Sequence, residues 1–190
     1  MSVVWLNGPV GAGKTTLAHS IRALVNPVAP VALLDEDSVR AAVAAATSAR
    51  DGDGHAPVPW LGAVARVLSQ QGLVVVVAAS DSAPAALLWN RANLPGYREI
   101  YLRASVETIK HRSRHRRSND GDIPPAPSLP HPAIVRDSGA PQPDPDLTID
   151  MDNPEPPELL AFRVAVLIPE WVVVAAGAAG MSANQLRRGA

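Results

Sequence analysis

The chain has 190 residues, of which 47% are hydrophobic, and its formal net charge is −1. This length suits one α/β domain with a buried core, and the near-neutral charge indicates neither a nucleic-acid nor a membrane partner. The lack of cysteine excludes disulfides and thiolate metal sites, and no apolar run is long enough to span a bilayer, so we expect a soluble cytoplasmic protein.

The first predicted element is a strand, Val3–Leu6, which leads into the glycine-rich stretch Gly8–Thr15. This stretch fits the pattern G-x-x-x-x-G-K-[ST]. The segment after it has helical spacing, with apolar residues at Leu17, Ile21, Leu24 and Val25. In a strand–loop–helix unit, glycines let backbone N–H groups turn toward phosphate oxygens, and the helix N-terminus adds partial positive charge. We therefore predict that the loop binds a nucleoside triphosphate.

The loop supplies the predicted nucleotide contacts. We expect Lys14 to reach the β- and γ-phosphates and the Thr15 hydroxyl to ligate Mg²⁺. The other predicted contacts are Gly8, Gly11, Ala12, Gly13 and Thr16. ATP and Mg²⁺ are thus the predicted cofactors.

The following elements alternate between strands and helices. Val31–Asp35 predicts a buried strand that ends in a carboxylate, and an alanine-rich helix is expected from Ser38 to about Arg50. A helix beginning near Trp60 stops at Gly72. Leu73–Ala79 contains no polar residue, as expected for the central strand of a parallel sheet that is covered on both faces.

The later elements are shorter. Glu99–Leu102 and Leu147–Asp150 predict two more strands. A final helix is expected from Asn153–Glu155, where a capping residue precedes a proline, through Leu167. Strands separated by helices indicate right-handed βαβ units and a doubly wound parallel sheet, which is an α/β fold.

Two regions do not fit this alternation. Pro124–Pro157 contains eleven prolines in thirty-four residues, so most of it is predicted to be extended loop. After Trp171, Val172–Val174 fits an edge strand, and Ala175–Ala190 fits either a loose tail or a short helix.

An acidic cluster, Asp35-Glu36-Asp37, follows the second strand, with Arg40 three residues further on. No N-K-x-D guanine motif is present, which argues against a GTPase. Because strand ends in a parallel sheet open into the ligand crevice, Asp35 and Asp37 are candidate catalytic carboxylates. Asp35 is also a candidate metal ligand, and Arg40 is a candidate acceptor-binding residue. The alternative is an ordinary acidic helix N-terminus.

A basic stretch, Lys110–Arg117, ends a helix that starts near Ser105. Its cations could complement the helix dipole on a solvated face. They could instead form a lid over the triphosphate, with Arg112 or Arg116 stabilising the transferred charge. A nucleic-acid patch is a third reading, although interleaved aromatic residues are missing.

The chain resembles the adenylylsulfate kinases over most of residues 3 to 168. Trp5–Thr16 looks like the family's first strand and loop, and Leu33–Arg40 is similar to its L-L-D-G-D-x-x-R segment. The later likenesses are Gly72–Val76, Tyr97–Leu102 with Arg112, and Asp146–Asp150. The resemblance implies a P-loop NTPase fold with the three-layer α/β/α arrangement of nucleoside-monophosphate kinases. Residues 1–190 would then form a single domain with a lid helix at about 105–117 and a proline-rich loop at about 118–146.

The departures from the family pattern concern the acceptor. Glu36 stands where the family has glycine, and Ala85–Leu88 replace its substrate-gripping arginines, which leaves Arg91 as the nearest candidate acceptor-binding cation. The family's K-G-L-Y segment after the basic helix is also missing. These changes favour an altered acceptor site. They leave the acceptor open between adenylylsulfate and another hydroxylated metabolite, such as a nucleoside, a sugar or a natural-product intermediate.

The resulting prediction is an ATP- and Mg²⁺-dependent kinase that phosphorylates a hydroxyl of a small molecule. Catalysis is assigned to Lys14, Asp35, Asp37 and Arg112, and acceptor binding to Asp37, Arg40 and Arg91. No nucleic-acid or membrane partner is expected, and both a monomer and a homodimer are open. The alternative is a nucleotide-binding regulator whose acceptor site is degenerate.

Overall fold

The computed structural model describes residues 1–47, 60–80, 82–119 and 144–171. The strands are β1 (Val3–Gly8), β2 (Val31–Asp35), β3 (Val74–Ser80), β4 (Arg98–Arg103) and β5 (Leu147–Asp150). The helices are α1 (Lys14–Val25), α2 (Glu36–Thr47), α3 (Trp60–Gln70), α4 (Pro84–Asn93), α5 (Val106–Asn119) and α6 (Pro157–Val166), followed by a 3₁₀ turn at Pro169–Trp171.

The five strands form one parallel sheet in the order β2-β3-β1-β4-β5. The order reverses at β1, which lies between β3 and β4, so the sheet is doubly wound as predicted. The register pairs Gly8 with Ser80 and Asp35 with Ala78. The carboxyl ends of β1, β2 and β3 therefore meet at one edge of the sheet, where α/β proteins bind ligands.

Helices cover both faces of this sheet because successive side chains of a strand point to opposite faces. In β1, Val4 and Leu6 pack with α1 and α6, whereas Val3 and Trp5 pack with α3 and α4. All four of these side chains are almost fully buried. The three-layer α/β/α arrangement is thus confirmed.

Several predicted boundaries hold and others are wrong. β2 and β5 have the predicted limits, while α2 begins at Glu36 rather than Ser38. The final helix begins at Pro157, not at Asn153–Glu155. Pro156 has extended backbone (φ −52°, ψ 142°) because a residue that precedes proline is disfavoured in the helical region. Helix α4 was not predicted, although Pro84 occupies its first turn.

Some predicted features lie outside the described residues. These are most of the proline-rich loop, the end of the alanine-rich helix at Arg50, and everything after Trp171. Among the described residues, no helix combines the length and the apolar character that a bilayer crossing requires.

Candidate active site

The phosphate loop connects β1 to α1, and its shape depends on glycine. Gly13 precedes α1 with φ 104°, a conformation that favours glycine. Gly8 has φ 145°, and a Cβ there would collide with the Leu102 carbonyl oxygen of β4. Because α1 begins at Lys14, the N–H groups of its first turn lack intrahelical partners and are available to an anion.

The Lys14 side chain lies inside the loop. Its residue is only 7% exposed, and Nζ donates to the carbonyl oxygens of Gly8 at 2.9 Å and Pro9 at 2.8 Å. The ammonium group is thereby held beside the backbone that would surround a phosphate.

Asp35, the last residue of β2, is tied to this loop. Its Oδ2 accepts a hydrogen bond from Thr15 Oγ1 at 2.9 Å, and its Oδ1 accepts from both the backbone N–H and the hydroxyl of Ser38. Burial raises the pKa of the Asp35 carboxyl, but the bonds from Ser38 and Thr15 and the charge of Lys14 outweigh it. The net pKa is lowered, so Asp35 is ionised at neutral pH.

The Thr15–Asp35 pair fits a magnesium ion. Both groups are oxygen donors, and their 2.9 Å separation matches the edge of an octahedron with ligands at roughly 2.0–2.1 Å. The described residues contain no group of three or more side chains of His, Cys, Asp or Glu that could hold a metal. The pair therefore suits an ion that takes its remaining ligands from phosphates and water.

Asp37 lies in the first turn of α2 and is exposed. It lines a cavity of about 90 Å³ together with Lys14, Thr15 and Asp35. A larger neighbouring cavity of about 390 Å³ shares Thr15, Asp35 and Asp37 and extends along α1. The structure thus brings the predicted loop and acidic residues to one space.

Glu36 and Arg40 form an ion pair that sequence reasoning did not predict. Arg40 Nη2 contacts Glu36 Oε1 at 2.6 Å, and Glu36 Oε2 accepts a hydrogen bond from the backbone N–H of Ser80 at 2.8 Å. Glu36 consequently connects the start of α2 to the end of β3. Arg40 itself lies in α2, and its charge is directed at Glu36, which lines the cavity of about 90 Å³.

Arg112 holds the basic helix α5 against the phosphate loop. Its guanidinium donates to the carbonyl oxygens of Ala12 at 2.8 Å and Met151 at 2.7 Å. The structure therefore places Arg112 on the backbone of the loop. The side chain of Arg116 lies outside the described part of the chain.

Arg91 is not brought to this site. It lies in the last turn of α4, where its Nη2 pairs with the Glu99 carboxylate at 3.2 Å and donates to the Asp144 carbonyl oxygen at 3.0 Å. These partners are near the starts of β4 and β5, the opposite edge of the sheet from the phosphate loop. Helix α4 was not predicted from the sequence. Because Arg91 lies in its last turn, the helix separates Arg91 from Ser80 at the end of β3.

Two groups that shape the site, the Ser38 side chain and the Ser80 backbone amide, were not predicted from the sequence. Ser38 orients Asp35 through two hydrogen bonds, and a carboxylate three residues before a serine at a helix start is a recognisable capping pattern. The Ser80 amide, which binds Glu36, gives no sequence signal because every residue except proline carries that group.

Comparisons with known proteins agree with this fold. The profile of the family described as adenylylsulphate kinase matches residues 1–123. An adenylyl-sulfate kinase of Myxococcus xanthus is 34% identical over 112 residues, which are 56% of this chain and 60% of that protein. The chain thus matches about three fifths of the length of that relative.

Solved structures share the fold at low sequence identity. The APS kinase of Mycobacterium tuberculosis, in complex with AMPPNP and APS, has a TM-score of 0.61 at 20% identity, covering 87% of this chain and 96% of its own. A sugar kinase from a Janibacter species has a TM-score of 0.61 at 22% identity, with coverages of 93% and 97%. At these identities the likeness establishes a P-loop kinase fold.

Proposed function

The chain belongs to the adenylylsulphate kinase family, and we propose that it transfers the γ-phosphate of ATP to a hydroxyl of a small metabolite. The observation that carries this proposal is the convergence of Lys14, Thr15, Asp35 and Asp37 on one cavity. Phosphoryl transfer requires this combination of a phosphate cradle, a metal site and a carboxylate near the attacking group.

The loop residues have the roles of the phosphate donor site. Lys14 and the first-turn amides of α1 hold the phosphates of ATP, and Thr15 and Asp35 hold Mg²⁺. When bound, Mg²⁺ neutralises charge on the phosphates. The solved neighbour with AMPPNP supports a triphosphate nucleotide as the ligand of this loop.

Asp37 is proposed to orient the acceptor hydroxyl and to accept its proton. It lines the cavity beside the loop, whereas the hydrogen bonds of Asp35 direct that carboxylate toward Thr15. The acceptor oxygen bonds to the γ-phosphorus, the bond from that phosphorus to the bridging oxygen breaks, and ADP leaves. Arg112 positions the phosphate loop through its hydrogen bond to the Ala12 carbonyl oxygen. Arg116 is the second candidate cation of the lid helix.

The test is acceptor-dependent release of ADP by the full chain in ATP and Mg²⁺, measured against a panel of hydroxylated metabolites that includes adenylylsulfate. At least one acceptor is expected to stimulate release. Tight ATP binding without stimulation by any acceptor would contradict the kinase and support a nucleotide-binding regulator.

A further inference from the structure

The Glu36–Arg40 pair lies beside the cavity of about 90 Å³, which Glu36 helps to line. We propose that Glu36 is a specificity-determining residue that makes the site select uncharged, hydroxyl-rich acceptors over acceptors with a phosphate or sulfate group. This inference rests on the proposed kinase function and goes beyond it by naming the acceptor class and the residue that sets it.

The first observation is that both carboxylate oxygens of Glu36 are engaged within the protein. One oxygen contacts Arg40 at 2.6 Å, and the other accepts the Ser80 N–H at 2.8 Å. The Glu36 side chain is only 14% exposed and that of Arg40 30% exposed, so water screens their attraction incompletely. Arg40 therefore offers little net positive charge to an incoming anion.

The second observation concerns the backbone after β3. The Ser80 N–H is used by Glu36, and the Ser82 N–H donates to Asn7 Oδ1 at 2.9 Å. Amides at a strand end commonly bind anions, but these two already have carboxylate or amide acceptors. An anionic acceptor would have to displace them.

The third observation is the charge balance of the cavity of about 90 Å³. Its described lining contains the carboxylates of Asp35, Glu36 and Asp37, of which Glu36 is compensated by Arg40, and one cation, Lys14, which serves the nucleotide. Among the described residues of α4, the arginine that could have served an anion, Arg91, pairs with Glu99 instead. Arg22 borders only the larger cavity, two helical turns or about 10 Å from Thr15.

The exposed Asp37 carboxylate suits a hydroxyl group, because Asp35 and Glu36 already accept hydrogen bonds within the protein. Ionised carboxylates only accept hydrogen bonds, and a polyol supplies several donors, whereas a phosphate or sulfate group supplies negative charge and is repelled. Asp37 then has an uncharged hydroxyl group to orient, and a hydroxyl is the attacking group in the proposed phosphoryl transfer.

The binding test uses two ligands that share one nucleoside, adenosine and adenylylsulfate. Each is titrated by calorimetry into the full chain saturated with Mg²⁺ and a non-hydrolysable ATP analogue. E36G, which frees Arg40 and the Ser80 amide, is expected to bind adenylylsulfate at least 10-fold more tightly than the native chain. The affinity for adenosine should change less than 3-fold.

E36Q provides a second variant in case glycine disturbs the start of α2. It removes the charge but keeps an oxygen for Ser80, so an intermediate gain is expected. The matched control is E155G, which breaks the exposed Glu155–Arg163 pair away from the cavity and should leave both affinities unchanged. Equal affinity for adenylylsulfate in the native chain, E36G and E36Q, including no binding by any of them, overturns the proposal.

Turnover gives an independent readout. In the panel assay, the native chain is expected to use an uncharged polyol with kcat/KM at least 10-fold above that for adenylylsulfate. The proposal would be overturned if kcat/KM for adenylylsulfate equalled or exceeded that for every uncharged acceptor. A complete lack of stimulated turnover would instead contradict the kinase function, and the binding comparison would still decide the role of Glu36.

Discussion

Asp35 and Asp37 are separated by one residue, but their surroundings favour different tasks. Asp35 is fixed by Thr15 and Ser38, and these bonds with the Lys14 charge lower its pKa despite burial. Asp37 is exposed and faces the shared cavity. A fixed, ionised carboxylate suits a metal ligand, and an exposed one suits contact with an acceptor.

Replacing Asp37 by Asn tests this division. We expect D37N to lower kcat by at least about 100-fold, the scale of a lost general base, while the Kd for ATP stays within about 3-fold of the native value. Steady-state kinetics and calorimetry measure the two effects. Native kinetics in D37N would transfer the role to Asp35 or Glu36.

Lys14 gives the sharpest test of the phosphate loop, because the chain offers a matched control. K14A should lower turnover by about 100- to 1,000-fold, since a preorganised cation at the transferring group is lost. Circular dichroism should show an intact fold. The chain has one other lysine, Lys110, which is exposed on α5, and K110A should remain within about 3-fold of native activity. Full activity of K14A would contradict the assignment.

At the level of elements, strands were easier to predict than helix ends. β2 and β5 are bounded by residues that break the apolar pattern, and their limits agree with the structure. Helix α4 was missed because its buried face within Pro84–Asn93 consists of Leu87 and Asn90, which give little hydrophobic periodicity. The start of α6 was misplaced because three prolines near it each satisfy the rule for a first helical position.

The junction of β1 and the phosphate loop should be intolerant of any side chain. G8A is expected to lower the free energy of unfolding by about 2–4 kcal/mol, because its Cβ meets the Leu102 carbonyl oxygen in addition to the strain at φ 145°. Gly72 has φ 89°, but a Cβ there would lie 3.7 Å from Met1 Cε, an ordinary van der Waals contact, so G72A should cost only about 1–2 kcal/mol. Urea denaturation measures both. Equal losses would contradict the steric argument.

The contact of α4 with β4 predicts a pH effect on stability. Burial raises the pKa of Glu99 above its ordinary value of 4.5, and the Arg91 charge offsets this only in part. Between pH 4.5 and the folded pKa, the folded chain holds a proton that the unfolded chain has released, so stability falls as pH rises. The unfolding free energy of the native chain minus that of E99Q should therefore decrease across this window and then level off. A flat difference in urea titrations from pH 4 to 8 would contradict it.

In the whole molecule, the sheet order decides which predicted residues meet. Because β1, β2 and β3 are neighbours and parallel, their carboxyl ends bring Lys14 and Asp35 together, and the sequence pattern of strand and motif was sufficient to predict this. The pattern was not sufficient for side chains whose position depends on a partner. Arg91 pairs with Glu99 of another element, and no spacing in the sequence predicts that contact. Glu36 and Arg40 are four residues apart, and this spacing indicates a pair only once the helix is known to begin at Glu36 rather than Ser38.

Nucleotide binding should stabilise the whole chain in a way that depends on Mg²⁺. ATP with Mg²⁺ at about 100 times its Kd is expected to add about 2.7 kcal/mol to the unfolding free energy, and Tm should rise accordingly. D35N removes one of the two proposed magnesium ligands, so it should lose most of the difference between ATP with Mg²⁺ and ATP with EDTA. The control D144N, at the opposite edge of the sheet, should keep that difference. Because thermal denaturation requires no acceptor, an unchanged magnesium effect in D35N would refute the metal site even if turnover were never observed.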